Sequence, residues 1–110
     1  MKSIFPQPIL NLSEVNIPFS GVKGYIVQGK KEQVVFMEFE KDTDVPEHFH
    51  ESQGEIVLEG KVDYWGDGIK HTYKKGDRFF VLKGKKHSAK VYAGYCCIMF
   101  FNQKNRYKMK

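Results

Sequence analysis

The sequence of 110 residues lacks any long hydrophobic run. Its apolar stretches, such as residues 96–101, are far shorter than the roughly 20 residues that a membrane helix needs, so we expect no membrane span. We also expect no signal peptide, because Pro6 and Pro8 follow Met1 and Lys2 before an apolar segment can form. The prediction is therefore a cytoplasmic protein without a membrane partner.

Cysteine is scarce, and the two that occur, Cys96 and Cys97, are adjacent. Neighbouring residues on a strand point to opposite faces, so these two thiols cannot share a metal ion, and a disulfide between them would be strained. Because the chain has no other cysteine, a disulfide framework is excluded. We expect two small buried residues in a reducing compartment.

Acidic residues are almost missing from the second part of the chain. Residues 69–110 hold 12 lysines and arginines against Asp77 alone, whereas residues 1–68 hold 6 lysines against 12 acidic residues. A basic half can indicate nucleic-acid binding. No stacking-aromatic motif or recognition helix accompanies these lysines, and strands of both halves interleave in a closed β fold. We therefore predict no nucleic-acid partner.

Helical periodicity is also scarce, while aromatic residues make up 15% of the chain and glycine contributes 10 residues. This pattern favours an all-β fold, a sandwich or barrel of short strands. The predicted single domain has an extended N-terminal arm over residues 1–20, a barrel over 22–101 and a basic tail over 102–110. The predicted strands cover residues 22–28, 33–40, 45–50, 53–59, 61–65, 69–73, 78–82, 88–91 and 95–101.

His48 and His50 are the main chemical signal. On a strand they project from one face, about 7 Å apart along the backbone, and two such imidazoles suit a transition metal ion such as Zn, Fe, Mn, Ni or Cu. Gln53 and Glu55 have the same spacing just beyond a tight bend, so we expect them on the same face. His87 follows Gly84 and would have to reach the same cavity from across the barrel.

The order His48-x-His50, then Gln53 or Glu55, then Gly60, and later Gly76-x5-Leu82-x-Gly84-x2-His87 resembles the two motifs of small single-domain cupins. The resemblance covers residues from about 34 to 101. It implies a double-stranded β-helix, also called a jelly roll, with a divalent metal ion inside. It also implies a homodimer, formed by paired strands or exchanged arms. The chain departs from the motifs at Asp42, Leu82 and Val91, where glycine, proline and asparagine are expected.

The resemblance implies His48, His50 and His87 as metal ligands, but leaves the fourth ligand open. Counted forward from His50, the motif's glutamate falls on Glu55. Counted back from Gly60, the ligand falls on Gln53, which strand register near that glycine favours. Charge favours Glu55, because a carboxylate neutralises a divalent ion better than an amide does. We prefer Gln53, because some cupins that this chain resembles have glutamine there. Glu55 is then the alternative ligand, or a neighbour that orients the ligand.

A metal-dependent enzyme of the isomerase, lyase or dioxygenase type is the function that we predict, with a small oxygenated metabolite such as a sugar acid as substrate. The alternative is a non-enzymatic domain that binds or senses a small molecule in the same cavity. Tyr64 and Arg78 are possible polar contacts, and His71 is expected to be packed or hydrogen-bonded outside the site. The nearby aromatic residues are expected in the core: Tyr25, Phe36, Trp65, Phe79 and Phe100.

Overall fold

The computed structural model describes residues 2–110, and nearly all of its regular structure is β-strand. None of the described residues forms a helix long and apolar enough to cross a membrane. The elements are, in chain order, helix α1 (Gln7–Leu10) and strands β1 (Ser13–Glu14), β2 (Val22–Gln28), β3 (Gln33–Phe39), β4 (Thr43–His48), β5 (Gln53–Glu59), β6 (Lys61–Gly66), β7 (Ile69–Lys74), β8 (Arg78–Val81), β9 (His87–Val91) and β10 (Cys96–Phe101).

The strands form two antiparallel sheets. One sheet has the order β1-β2-β3-β10-β5-β8 and the other has the order β4-β9-β6-β7. Strands distant in sequence are neighbours, as where β10 lies between β3 and β5. This arrangement confirms the predicted all-β jelly roll.

Alternation of side chains along the strands builds the core between the sheets. In β8, Phe79 and Val81 are buried while Arg78 and Phe80 are exposed, as expected for a strand with one face on a core. Cys97 joins the main apolar core, whereas Cys96 belongs to a second cluster on the other side of the sheet. Both cysteines are free thiols, as predicted.

The N-terminal arm packs on its own barrel. Phe5 is buried, and its ring centroid lies 6.4 Å from that of Tyr25 and 5.9 Å from that of Phe36. The arm is not extended throughout, because a one-turn helix occupies Gln7–Leu10 and Ser13–Glu14 pairs with β2. These apolar residues therefore need no partner subunit to cover them. The homodimer stays a prediction.

The C-terminal tail is held against the barrel rather than frayed. Gln33, which is 1% exposed, accepts a hydrogen bond from the backbone N–H of Tyr107 at 3.0 Å and donates to the carbonyls of Lys104 and Tyr107 at 3.0 and 2.9 Å. Met109 also forms an isolated bridge with Val15. Residues 102–110 thus belong to the folded unit.

Two of the aromatic residues expected in the core lie on the surface. Tyr25 and Phe79 are buried, but Trp65 and Phe100 are 37% and 40% exposed. Trp65 lies on β6 one residue after Tyr64 and therefore faces away from the cavity. Strand parity, and not aromatic character, decides which of these rings is covered.

Candidate metal centre

Strand pairing brings three histidines together. His48 ends β4 and lies opposite His87, the first residue of β9, while His50 follows two residues after β4. Ring centroids are 4.1 Å apart for His48 and His87, 4.8 Å for His50 and His87, and 5.2 Å for His48 and His50. One ring nitrogen from each residue lies within 4.8 Å of the others.

Backbone carbonyls select one tautomer of each ring. The Nδ1 atom lies near a carbonyl oxygen in all three cases: 2.9 Å for His48 and Pro46, 2.6 Å for His50 and Glu51, and 3.0 Å for His87 and Lys85. A carbonyl only accepts hydrogen bonds, so a neutral ring has its proton on Nδ1 and a lone pair on Nε2. The Nε2 atom of His50 is buried and has no hydrogen-bond partner among residues 2–110. Such an orphaned lone pair fits a metal ligand.

Burial keeps two of these rings neutral. It lowers the pKa of His50 to about 4, and the positive charge of Arg106 acts in the same direction. Burial also lowers the pKa of His87, again with a smaller contribution from nearby cationic groups. Neutral imidazole is the form that binds a metal ion. The donor set and its protonation state therefore both suit a transition metal.

Gln53 and Glu55 both point inward from β5, but they have different surroundings. The Gln53 amide nitrogen donates to one oxygen of Glu55 at 2.9 Å. Tyr95 donates its hydroxyl to the other oxygen, and the Cys97 thiol lies close enough to this carboxyl to lower its pKa. Burial raises the pKa of Glu55 to about 7, while these hydrogen bonds lower it in part. Glu55 is not part of the histidine cluster.

The histidines open into a cavity of about 460 Å³ between the two sheets. Most of the side chains around it are apolar, including Ile17 and Phe19 of the arm and Met37 and Phe79 of the barrel. A volume of this size accommodates a small molecule. The site is therefore a metal-ligand cluster at the wall of a largely apolar pocket.

Of the two polar contacts predicted from the sequence, Tyr64 and Arg78, only Tyr64 reaches the cavity. Its ring stacks on His87 with centroids 5.6 Å apart. Arg78 is exposed on the surface, so it is not a contact of this cavity. His71 is exposed and stacks on Tyr73 at 5.8 Å, outside the cavity, as expected for a packed histidine.

Sequence reasoning missed the contribution of the tail. Gln103, Arg106 and Tyr107 all line the cavity. They follow no motif, and their lysine-rich surroundings are typical of a solvated chain end. Contacts with distant segments place the tail at the site: Gln33 bonds to Lys104 and Tyr107, and Val15 forms a bridge with Met109.

A family model described as "Cupin domain" matches residues 35–93, which is more than half of the chain. The chain belongs to the cupin family. In this cupin the match includes all three histidines of the cluster and the whole of β4 to β9. No curated protein matches the chain.

Solved structures agree with this assignment. An RmlC-like cupin from Shewanella frigidimarina is 27% identical, with 86% of each chain covered and a TM-score of 0.73. KdgF from Halomonas sp. is 20% identical, with 83% of this chain and 87% of that chain covered and a TM-score of 0.71. Oxalate decarboxylase from Bacillus subtilis, which has Mn(II) centres, is 15% identical over 88% of this chain and 29% of its own, with a TM-score of 0.73. At such identities the last two support the fold alone.

Proposed function

We propose that this cupin binds a divalent transition metal ion through the Nε2 atoms of His48, His50 and His87 and uses it in chemistry on a small oxygenated molecule. The observation that carries the proposal is the set of three converging imidazoles, each anchored through Nδ1 to a backbone carbonyl. The unpartnered Nε2 atom of His50 supports it, because a buried polar atom without a partner costs stability unless a ligand satisfies it.

Gln53 is the fourth ligand in this proposal. Its amide nitrogen already donates to Glu55, which leaves the amide oxygen as its free ligand atom. Both carboxylate oxygens of Glu55 accept hydrogen bonds, from Gln53 and from Tyr95. Glu55 then orients the Gln53 amide, in the way that carboxylates commonly orient metal ligands.

When bound, the metal ion supplies Lewis acidity that polarises an oxygen of the substrate. The chain supplies the enclosure: two sheets, the arm and the tail surround the cavity and limit access of water. The cysteines are not nucleophiles here, because burial raises the pKa of Cys96 to about 11 and that of Cys97 well above its usual range. Any catalysis therefore depends on the metal, and isomerase, lyase and dioxygenase chemistry all fit.

A non-enzymatic binding domain is the second candidate, and the apolar cavity wall favours it. Most lining residues can enclose a ligand but cannot transfer a proton. The two candidates share the metal and the cavity, and they differ in whether a bound ligand is converted. Detection by mass spectrometry of a product formed from the ligand by the metal-loaded protein would favour the enzyme over the binding domain.

The test of metal binding uses protein purified without a histidine tag. Metal content is measured by plasma mass spectrometry, and the Co(II)-substituted protein is examined by visible absorption. We expect about one ion per chain in the wild type and in His71→Ala, a matched control outside the cavity. The His48→Ala, His50→Ala double variant should lose the ion. Substoichiometric metal that is unchanged in the double variant would overturn the proposal.

A further inference from the structure

The buried amide of Gln33 holds the C-terminal tail over the cavity. It bonds to the backbone of Lys104 and to both the N–H and the carbonyl of Tyr107. Gln103 precedes Lys104 and Arg106 precedes Tyr107, so the bonds to Gln33 constrain the backbone next to both residues. The tail is therefore a wall of the cavity with two polar side chains of defined position.

Arg106 is the cationic side chain of this wall. Its guanidinium carbon lies 4.6 Å from the ring centroid of Tyr107 and 5.8 Å from that of Phe101. It lines the same cavity as the three histidines of the metal cluster. The Nε atom is buried and lacks a hydrogen-bond partner within the described part of the chain.

Gln103 supplies the complementary group. Its amide nitrogen donates to the side chain of Asn105 at 3.1 Å, which identifies the other amide atom as the oxygen. That oxygen is buried, and no residue between positions 2 and 110 donates to it. The tail therefore presents one unused donor with a positive charge and one unused acceptor without charge.

Apolar side chains occupy most of the remaining surface. Met37, Phe79 and Met99 line the cavity from the six-stranded sheet, and Val62 and Val91 line it from the four-stranded sheet. A polyhydroxylated ligand would leave hydroxyl groups unpaired against these walls, which is costly. An apolar body of modest size is therefore better accommodated than a sugar ring.

We infer that the cavity binds a small carboxylic acid, with its carboxylate on Arg106, a neighbouring hydroxyl on the Gln103 oxygen and an apolar remainder against the walls. Arginine is suited to this task, because its planar guanidinium forms charge-assisted, bidentate bonds with a carboxylate. The inference rests on the proposed function in assigning the substrate class of the same cavity. The pairing with Arg106 itself does not need the metal ion.

The test compares acids with their neutral amides at pH 7 by isothermal titration calorimetry. The probes are mandelate with mandelamide, 2-hydroxyhexanoate with its amide, and benzoate with benzamide. Each pair is titrated in EDTA and again with Ni²⁺-loaded protein. For at least one pair in EDTA, we expect the wild type to prefer the acid by about tenfold or more. Arg106→Met should abolish this preference, and Lys108→Gln should retain it, since Lys108 is an exposed cation of the same tail.

The inference would be overturned if the wild type bound none of the acids more tightly than its amide. It would also be overturned if Arg106→Met kept the full preference for the acid. Circular dichroism verifies that each variant is folded. If Arg106→Met does not fold, Arg106→Lys decides, because lysine keeps the charge but not the planar fork. In Arg106→Lys, the ratio of acid affinity to amide affinity should then fall by about threefold or more relative to the wild type. Failure of Ni²⁺ to bind, with the acid preference intact in EDTA, would count against the proposed function and not against Arg106.

Discussion

Two clusters of polar side chains face the interior of this cupin, and they differ in whether their hydrogen bonds are complete. The first, which we call the closed cluster, consists of Gln53, Glu55, Tyr95 and Cys97. Its carboxylate accepts hydrogen bonds from the Gln53 amide and the Tyr95 hydroxyl, and the Cys97 thiol lies near it. Only the oxygen of Gln53 is left for a ligand.

The second cluster, which we call the open cluster, consists of His48, His50, His87, Gln103 and Arg106. It contains the buried side-chain atoms that have no partner in the described residues: Nε2 of His50, the oxygen of Gln103 and Nε of Arg106. Each carbonyl-anchored histidine keeps its second nitrogen unprotonated in the neutral state. The polar groups of the open cluster have defined positions, but their hydrogen bonds are incomplete.

This difference in hydrogen bonding indicates where the protein can gain free energy by binding a ligand. A satisfied buried network contributes to folding, and breaking it leaves unpaired groups that destabilise the chain. An unsatisfied group costs stability in the free protein, and a ligand that completes it recovers that cost. We therefore expect changes at Glu55, Tyr95 and Cys97 to affect folding, changes in the open cluster to affect metal and ligand binding, and changes at Gln53 to affect both.

The largest effect on folding should come from Gly60, whose backbone lies against the closed cluster. Its φ is 77°, and an added Cβ would lie 2.8 Å from Cα and 3.0 Å from the backbone nitrogen of Tyr95. Gly60→Ala should lower the free energy of unfolding by about 2–5 kcal/mol, through left-handed strain and this collision. The measurement is urea unfolding in EDTA.

Gly76→Ala is the matched control for this variant. Gly76 has a φ of 91°, but an added Cβ there meets no atom within 4 Å. Strain alone should cost about 1–2 kcal/mol. Equal costs at the two glycines would mean that the Tyr95 backbone moves aside without penalty, and that the closed cluster is not rigid.

The next effect separates the clusters directly. Tyr95→Phe removes a hydroxyl that Glu55 accepts from and should cost about 1–3 kcal/mol of unfolding free energy in EDTA. The Tyr95→Phe variant should still bind one metal ion.

His50→Ala should show the opposite pattern. We expect it to lose metal binding, while its free energy of unfolding in EDTA changes by less than about 1 kcal/mol, because the substitution also removes the unpartnered Nε2 atom. A His50→Ala variant less stable than Tyr95→Phe would contradict the division.

The smallest effect concerns a hydrogen-bonded set outside the cavity, around Asp63, which is 7% exposed. The Tyr92 hydroxyl donates to this carboxylate at 2.6 Å and the Thr72 hydroxyl at 2.7 Å, and these bonds hold the pKa of Asp63 below its ordinary value of 3.8. Between the folded and the unfolded pKa of Asp63, the unfolded chain binds more protons than the folded chain. The stabilisation from this carboxylate is therefore present above pH 3.8 and is lost as the pH falls through the folded pKa.

Asp63→Asn tests this pH dependence. Thermal unfolding between pH 5 and pH 2.5 should show a shallower loss of Tm on acidification for the variant than for the wild type. The comparison depends on the slope alone, because other carboxylates titrate equally in both proteins. Parallel slopes would show that the hydrogen bonds to Asp63 contribute no stability of their own.

Much of the fold was predictable from local pattern. Turn residues and alternating side chains located the strands to within a few residues, because the period of two and the glycine-rich turns are properties of short segments. The proximity of His48 and His50 was predicted from the same period, although β4 ends at His48 and His50 lies beyond it. His87 required the motif spacing as well, because its partner strand is distant in the sequence.

Local pattern failed for three kinds of residue. Trp65 and Phe100 were expected in the core but are exposed, because parity on a particular strand outweighs hydrophobicity. The roles of Gln53 and Glu55 could not be separated, since both have the same parity and differ only in their neighbours across the barrel. Arg106 gave no signal at all.

An all-β cupin with three histidines of suitable spacing was predictable from the order of residues, because these features depend on residue type and short-range period. Which polar groups remain without partners follows from the packing of distant segments. Arg106 and Gln103 reach the cavity on a tail that Gln33 bonds at Lys104 and Tyr107 and that Val15 bridges at Met109. Contacts between such distant segments follow from sheet packing as a whole and leave no local trace in the order of residues.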